Sequence, residues 1–321
     1  MNHYRNIPRE LTHQPSIITG ALAEQHDDQV ARLLHRSLAT WYETNLNQGS
    51  RFGSSHLPFI HFPKLYRHLD PTHSFGAWLD QQLAGVAFIH PRETHISAGI
   101  IATDPAFSRR GIAKMLLGRA CALADELNLP LRLVSSLLNL DSFSLYSRCG
   151  FRPVTIYQDV HLSVPTQGLA CPDVPSIRIS TAGVEHAPEI AEAEQELCGI
   201  SRPRDHHALL AQTALPWEVL VARNSSNSLL GAITFTRHPD WSMPGPGFAQ
   251  DEAVLSALLY QALNQLRGRD IVALIPSDAR NLLASLYAAG GRNIELHALQ
   301  VRGDWKPPAG LSLPSFLPET F

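Results

Sequence analysis

"FSRRGIAKMLLGRACALADEL", residues 107–127, sets two arginines and a glycine directly before a helix. Ile112, Leu116, Ala120, Leu123 and Leu127 follow at steps of four, four, three and four, the apolar stripe of an amphipathic helix. Just upstream, "HISAGIIATDP" (95–105) is apolar and stops at a proline, which reads as a strand. Strand, short loop and helix in that order leave backbone N–H groups open at the helix start, where the helix dipole favours an anion. Gly111 permits close approach of the backbone, Ala113 keeps the next turn small, and Arg109 and Arg110 add positive charge. These features suit a pyrophosphate. The loop is neither a Walker phosphate loop nor a GxGxxG dinucleotide fingerprint.

Working outward, "SIITGALAEQHDDQVARLLHRSL" (16–38) opens with strand-like Ile17 and Ile18 and continues with Val30, Leu33, Leu34 and Leu38 at helical spacing. An irregular stretch rich in aromatics and histidines runs from Trp41 to about Pro71. "FGAWLDQQLAGVAFIH" (75–90) gives two strands around a polar turn at Asp80–Gln82. "LPLRLVSSLLN" (129–139) reads as a buried strand. Asp141 can cap a short helix ending at Gly150, and "PVTIYQDVHLSV" (153–164) alternates as the strand that closes the sheet.

"VPTQGLACPDVP" (164–175) is rich in Pro and Gly without a period and marks a linker. A second strand-helix opening, "SIRISTAGVEHAPEIAEAEQEL" (176–197), then repeats the first. "LAGVAFI" at 83 returns as "LLGAITF" at 229, a step of 146, and "SLYSRCGF" at 144 returns as "SLYAAGGR" at 285, a step of 141. Two matches in one order at nearly one offset argue for a duplicated domain. The expected division is an N-terminal extension (1–15), a first domain (16–164), the linker (165–175), a second domain (176–303) and a Pro-rich tail (304–321). Trp305, Leu311, Leu313, Phe316 and Leu317 would anchor the tail to the protein.

Bulk composition agrees with two domains. The 321 residues are 44% hydrophobic and 17% charged, with a net charge of −3, so no overall basic field favours nucleic acid or membrane. Cys121, Cys149, Cys171 and Cys198 form no CxxC pair, the N-terminus has no export-type apolar core, and no apolar run is long enough to span a bilayer. A cytoplasmic protein is expected. Sixteen histidines invite a metal, yet there is no HExxH and no Cys/His cluster, and the "DHH" at 205–207 is isolated, so no metal is expected and most histidines read as surface residues. Asp205, with Arg202 and Arg204, reads as a solvated helix cap.

At the loop "SRRGIA" (Ser108–Ala113) the sequence resembles the GNAT superfamily of acyl-CoA-dependent N-acetyltransferases, whose loop reads (Arg/Gln)-x-x-Gly-x-(Gly/Ala). Ser108 stands where the family prefers Arg or Gln. Downstream, "NLDSFSLYSRCGF" supplies Asn139, Ser142, Tyr146 and Gly150-Phe151 at the spacing of the family's last helix. The resemblance implies an α/β (α+β layered) chain of two tandem GNAT-like domains, each a mixed, mostly antiparallel twisted sheet flanked by helices. It implies acetyl-CoA as donor substrate, held by Ile101, Ala102 and Thr103 of the splayed fourth strand, by Arg109, Arg110, Gly111, Ile112 and Ala113, and by Asn139, Ser142 and Tyr146. The second half keeps the shape only. "SMPGPGFAQDEAV" (242–254) puts Asp251 and Glu252 at the helix start, where carboxylates repel a pyrophosphate, so a degenerate domain without CoA is expected there.

Acyl transfer to an amine needs a base for the ammonium proton, a fixed donor for the oxyanion and an acid for the departing thiolate. By resemblance the acid is Tyr146 and the oxyanion donor a backbone N–H of the fourth strand. Glu93 and His95, on one face of the hairpin before that strand, are the candidate bases, beside the plainer reading of a solvated carboxylate and a surface imidazole. Arg51, His56, His61, Lys64 and Tyr66 lie in the family's acceptor region, where cations would hold a carboxylate or phosphate on a small-molecule amine, although Phe52, Phe59 and Phe62 also read as core. Two other readings stay open. One keeps the fold with another donor or acceptor (a longer acyl-CoA, an aminoacyl-tRNA, a protein N-terminus). The other is a non-catalytic CoA-binding or partner-binding module. A monomer or homodimer suits either, since a tandem chain can pair its halves internally.

Overall fold

The strand at "LAGVAFI" is apolar without alternation because both its faces are covered. In the computed structural model, which describes residues 16–172, 174–211, 216–241 and 243–315, the first half runs β1 (Ile18–Ala21), α1 (Asp27–Leu46), α2 (His61–Leu69), β2 (Ser74–Leu79), β3 (Gln82–Pro91), β4 (Ile96–Thr103), α3 (Ile112–Leu127), β5 (Leu131–Ser136), α4 (Leu140–Arg148) and β6 (Arg152–Ser163). Val86 and Phe88 of β3 pack against Val30, Leu33 and Leu34 of α1 and Phe62, Leu65 and Tyr66 of α2. Ala87 and Ile89 face the opposite way, toward Ile112, Leu116, Leu117 and Ala120 of α3. Gly85 fits this layer because a Cβ there would come within 2.5 Å of the Ile112 side chain. The stripe read from the sequence is buried as far as Ala120, and Leu127 is exposed at the helix end.

The second half repeats the order with β7 (Arg178–Thr181), α5 (Ala187–Cys198), α6 (Pro203–Leu210), β8 (Trp217–Arg223), β9 (Leu229–Thr236), β10 (Gly247–Ala249), α7 (Glu252–Gln265), β11 (Asp270–Pro276), α8 (Arg280–Ala288) and β12 (Arg292–Arg302), and adds β13 (Leu311–Leu313). The two sequence matches fall on equivalent elements, β3 with β9 and α4 with α8.

The sheets are shared between the halves. One has eight strands in the order β1-β2-β3-β4-β5-β12-β6-β11, the other five in the order β13-β10-β9-β8-β7. Strand β6 therefore does not close the sheet of its own half, as its alternation suggested. It pairs with β11 along Asp270↔Ser163 to Pro276↔Tyr157, and β12 takes the place beside β5 from Arg302↔Leu131 to His297↔Ser136. The long last strand of each half thus lies across the other. Val160 and Leu162 of β6 sit in a core with Leu255, Leu258 and Leu259 of α7 and Leu282 and Leu286 of α8. Alternation specifies a strand but not its partner, which is why the exchange is invisible in the sequence.

Further corrections follow from packing. The irregular stretch 41–71 contains the end of α1 and all of α2. The cap of α4 is Asn139, which accepts the Ser142 N–H at 3.0 Å, and not Asp141. Arg202 and Asp205 are no solvated cap. Arg202 donates to both oxygens of the fully buried Glu194, at 2.8 and 2.6 Å, and Asp205 receives Arg92 of the first half at 2.6 Å. His90, His95, His206 and His297 are buried rather than on the surface. In the tail, Leu311 and Leu313 are strand residues, while Phe316, Leu317 and the 1–15 extension lie outside the described residues. No described helix is long and apolar enough to cross a membrane.

Candidate active site

Strands β4 and β5 are parallel neighbours for only two pairs, Ile96↔Leu131 and Ser97↔Arg132. Beyond Ser97 they part, because β5 continues its ladder with β12 on its other side while β4 stays with β3. Along the rest of β4, no strand among the described residues covers the side that faces β5. Gly99, Ile100, Ile101 and Thr103 on one wall and Val134 to Leu137 on the other are accordingly only half-buried. An uncovered strand edge presents a row of N–H and C=O groups to any extended, amide-bearing molecule.

The mouth of this cleft is built from the loop quoted first. Asp104 follows β4, accepts the Ala106 N–H at 3.0 Å and pairs with Arg36 of α1. Arg109 (φ 61°) and Gly111 (φ 80°) both take left-handed backbone conformations, so the chain turns sharply as it enters α3. Glycine at 111 is required by that φ and not by crowding, since a Cβ there would meet nothing within 4 Å. No side chain caps α3 and its first turn has no acid. Arg109 and Arg110 are exposed beside it, and so is Lys114, a third cation that the sequence reading passed over.

On the α3 face of the cleft, Tyr146 packs with Leu117 and Ala120 of α3, Leu133 of β5 and Phe151, whose ring lies 5.9 Å away. Burial pushes its hydroxyl up to about 12, and Ser142 beside it pulls the other way. Asn139 spends its side-chain oxygen on the Ser142 N–H.

On the α1 face stands a cluster that sequence reasoning missed. Glu295 of β12 is buried and accepts the Tyr42 hydroxyl at 2.6 and 2.8 Å on its two oxygens, together with the Ser136 hydroxyl. Arg51 approaches Glu295 at 3.4 Å and stacks over Tyr42 at 4.9 Å. Asp159 and His297, bonded at 2.8 Å, continue the cluster along β6 and β12. Burial, and then the Glu295 charge, push the Tyr42 phenol far above its ordinary range. No local motif announces Glu295; its place beside Ser136 exists only through the strand exchange.

Of the acceptor candidates, Arg51 alone is brought to this cluster. His56 bonds Asp28 at 2.9 Å in the first turn of α1, about 20 Å along the helix from Tyr42. His61 faces His238 and Asp240 of the second half, Lys64 is exposed, and Tyr66 is fully buried between Phe88 and His90. Glu93 and His95 lie at the wrong end of β4, with His95 roughly 25 Å of strand from Thr103. His95 is fully buried, meets Thr94 at 3.0 Å, and is held neutral by burial and by Arg132, Arg92 and Arg202. Neither residue is brought to the stretch of β4 that parts from β5.

The equivalent cleft of the second half is filled. Strand β13 pairs with β10 from Gly247↔Leu313 to Ala249↔Leu311 and also packs against β11, with Leu313 fully buried. Asp251 caps α7 by accepting the Val254 N–H at 3.0 Å, and Glu252 receives Leu282 N–H and Asn281.

Residues 36–151 match the sequence model of the acetyltransferase (GNAT) family. No curated protein matches the chain. Among solved structures, a Pyrococcus horikoshii protein described as an acetyltransferase superposes with a TM-score of 0.70 at 14% identity, over 98% of both chains. A GCN5-related N-acetyltransferase from Sphaerobacter thermophilus gives 0.59 at 15%, over 89% of this chain and 95% of that one. A tandem GNAT protein from the clavulanic acid biosynthesis pathway gives 0.59 at 16%, over 91% and 100%. At such identities the likeness is one of fold, and it extends over both halves.

Proposed function

We propose that this chain, whose residues 36–151 match the GNAT acetyltransferase family and whose fold is like that of a tandem GNAT protein, moves an acetyl group from acetyl-CoA to a primary amine of a small molecule. The observation that carries the reading is the parting of β4 from β5 after Ser97, with an uncapped, cation-flanked helix start at its mouth. The open edge of β4 suits the two amides of a pantetheine arm, and the Ile112 to Lys114 N–H groups with Arg109, Arg110 and Lys114 suit the pyrophosphate. The residues present therefore fit acetyl-CoA, which supplies an activated thioester carbon.

In this reading the amine nitrogen attacks the thioester carbonyl, a C–N bond forms and the C–S bond breaks. A β4 backbone N–H supports the oxygen that gains charge. The Glu295 charge draws the ammonium to the α1 face of the cleft, and the proton reaches this buried carboxylate through the half-buried Ser136 hydroxyl that donates to it, while Arg51 and the Tyr42 hydroxyl fix the orientation of that carboxylate. Tyr146 gives its proton to the departing sulfur. With its hydroxyl raised to about 12, it carries that proton throughout the neutral range. The second half supplies Glu295 to this site, and β13 fills its own equivalent cleft among the described residues, so one site per chain is expected.

Calorimetry with acetyl-CoA tests the reading on the native chain, Gly111→Asp and an Arg109→Ala/Arg110→Ala variant. Near 1:1 binding that both variants abolish is the expected result, followed by thiol release in a screen of small amines. Absence of binding would overturn the assignment, and tight binding without turnover on any amine would favour the non-catalytic reading.

A further inference from the structure

His61 opens α2, while His238 and Asp240 stand in the turn after β9, and the fold brings one ligating atom of each within 4.8 Å of the others. The His61 and His238 rings meet edge to face at 4.7 Å, and Trp241 walls the group, 6.4 Å from His61 and 5.2 Å from Phe62. The turn is anchored from behind, because Arg269 donates to the carbonyls of Arg237 and His238 at 2.5 and 3.2 Å.

The spacings inside the group are informative. His61 Nε2 and His238 Nδ1 lie 3.6 and 3.9 Å from the same oxygen, Asp240 Oδ2. Both separations exceed a hydrogen bond. Two ligands of one tetrahedral ion with bonds of 2.0–2.2 Å stand about 3.4 Å apart. Both distances to Asp240 thus lie a few tenths of an ångström beyond that spacing, and the ligating atoms of all three residues lie within 4.8 Å of one another. His238 Nδ1 also receives the Asp240 N–H at 3.3 Å, a long contact that coordination would replace. Side-chain exposures of 17%, 27% and 39% leave an entry path and a fourth corner open to water.

We propose that His61, His238 and Asp240 bind one divalent transition-metal ion of the Zn2+ class, which ties α2 of the first half to the turn after β9 of the second. Two imidazoles and a carboxylate, without thiolate, suit a borderline ion of this kind better than Mg2+ or Ca2+, which take all-oxygen sites. The site shares no residue with those assigned to the β4–β5 cleft and does not depend on the reaction assigned there. It escapes sequence motifs because His61 and His238 lie in different halves of the chain.

Titration of the metal-free full chain with Zn2+ tests the assignment. One equivalent should bind saturably and raise Tm, and Co2+ in its place should show the visible absorption of a four-coordinate ion. His61→Ala and Asp240→Asn should each weaken binding by more than the roughly 10–100-fold that follows from disturbing even a ligand's outer partners. His68→Ala, an exposed histidine on the same helix, should leave it unchanged. Asp240→Asn alters an exposed side chain and keeps the test valid if His61→Ala fails to fold. No saturable binding, or equal binding in all variants, would overturn the proposal and mean adsorption to surface histidines only.

Discussion

Glu295 holds the Tyr42 hydroxyl at 2.6 Å across 253 positions of chain, joining the last long strand of the second half to the first long helix. Tyr42→Phe removes one donor from a buried carboxylate, so a stability loss of roughly 1–3 kcal/mol is expected in denaturant unfolding. Glu295→Gln should lower kcat/KM for the amine by about a hundredfold or more, with the Kd for acetyl-CoA unchanged. Unchanged turnover in Glu295→Gln would remove Glu295 from the reaction.

Tyr146→Phe keeps the packing against Leu117 and Phe151 and loses only the hydroxyl. A kcat reduction of about a hundredfold is expected, with acetyl-CoA binding little altered. A variant with full kcat would show Tyr146 to be a packing residue.

Glu194 makes folding sensitive to acid. Burial raises its pKa, but the charges and hydrogen bonds of Arg202 and His206 outweigh burial and hold it at about 2, against an unfolded value of 4.5. The unfolded chain therefore takes up this proton first as pH falls. The contribution of Glu194 is fully present above about 4.5 and is lost progressively between 4.5 and 2. Urea midpoints measured from pH 6 down to pH 3 should fall, and Glu194→Gln should flatten that fall. The variant should also lose about 3–5 kcal/mol at neutral pH, because it strands Arg202.

Strand β13 supports the second half from inside its cleft. Leu313→Ala should cost about 2–5 kcal/mol, read as a lower Tm. A chain ending at Gly303 should be less stable and still bind one acetyl-CoA, because Asp251 and Glu252 remain at the start of α7. A second equivalent bound by the truncated chain would contradict the single-site reading.

Much of this architecture is local and was legible. The α3 stripe, the proline stop at Pro105 and the paired matches at 83 and 229 or 144 and 285 place equivalent elements without reference to tertiary contacts. What escaped depends on contacts between distant segments. Alternation in β6 shows a strand with one buried face, yet whether that face meets α3 or α7 is decided by packing. His95 reads as a turn histidine until Arg92, Arg132 and Arg202 close around it. Glu295 sits in a run, "NIELHALQV", that is ordinary for a strand, and its chemistry comes from Tyr42, Arg51 and Ser136, all supplied by the other half.

The exchange of β6 and β12 also sets the order in which the protein can finish folding. During synthesis β5 has no partner on its outer edge, and β6 none at all, until residues 270–302 have emerged. At 5–20 residues per second, the stretch from the end of β6 to the end of β12 takes roughly 7 to 28 s to make. For that interval the nascent first half displays three unsatisfied strand edges, one on β5 and two on β6, and the apolar face of Val160 and Leu162, a state prone to pairing with neighbouring chains. Slow translation through the second half, or expression of the first half alone, should therefore favour aggregation over an active fragment.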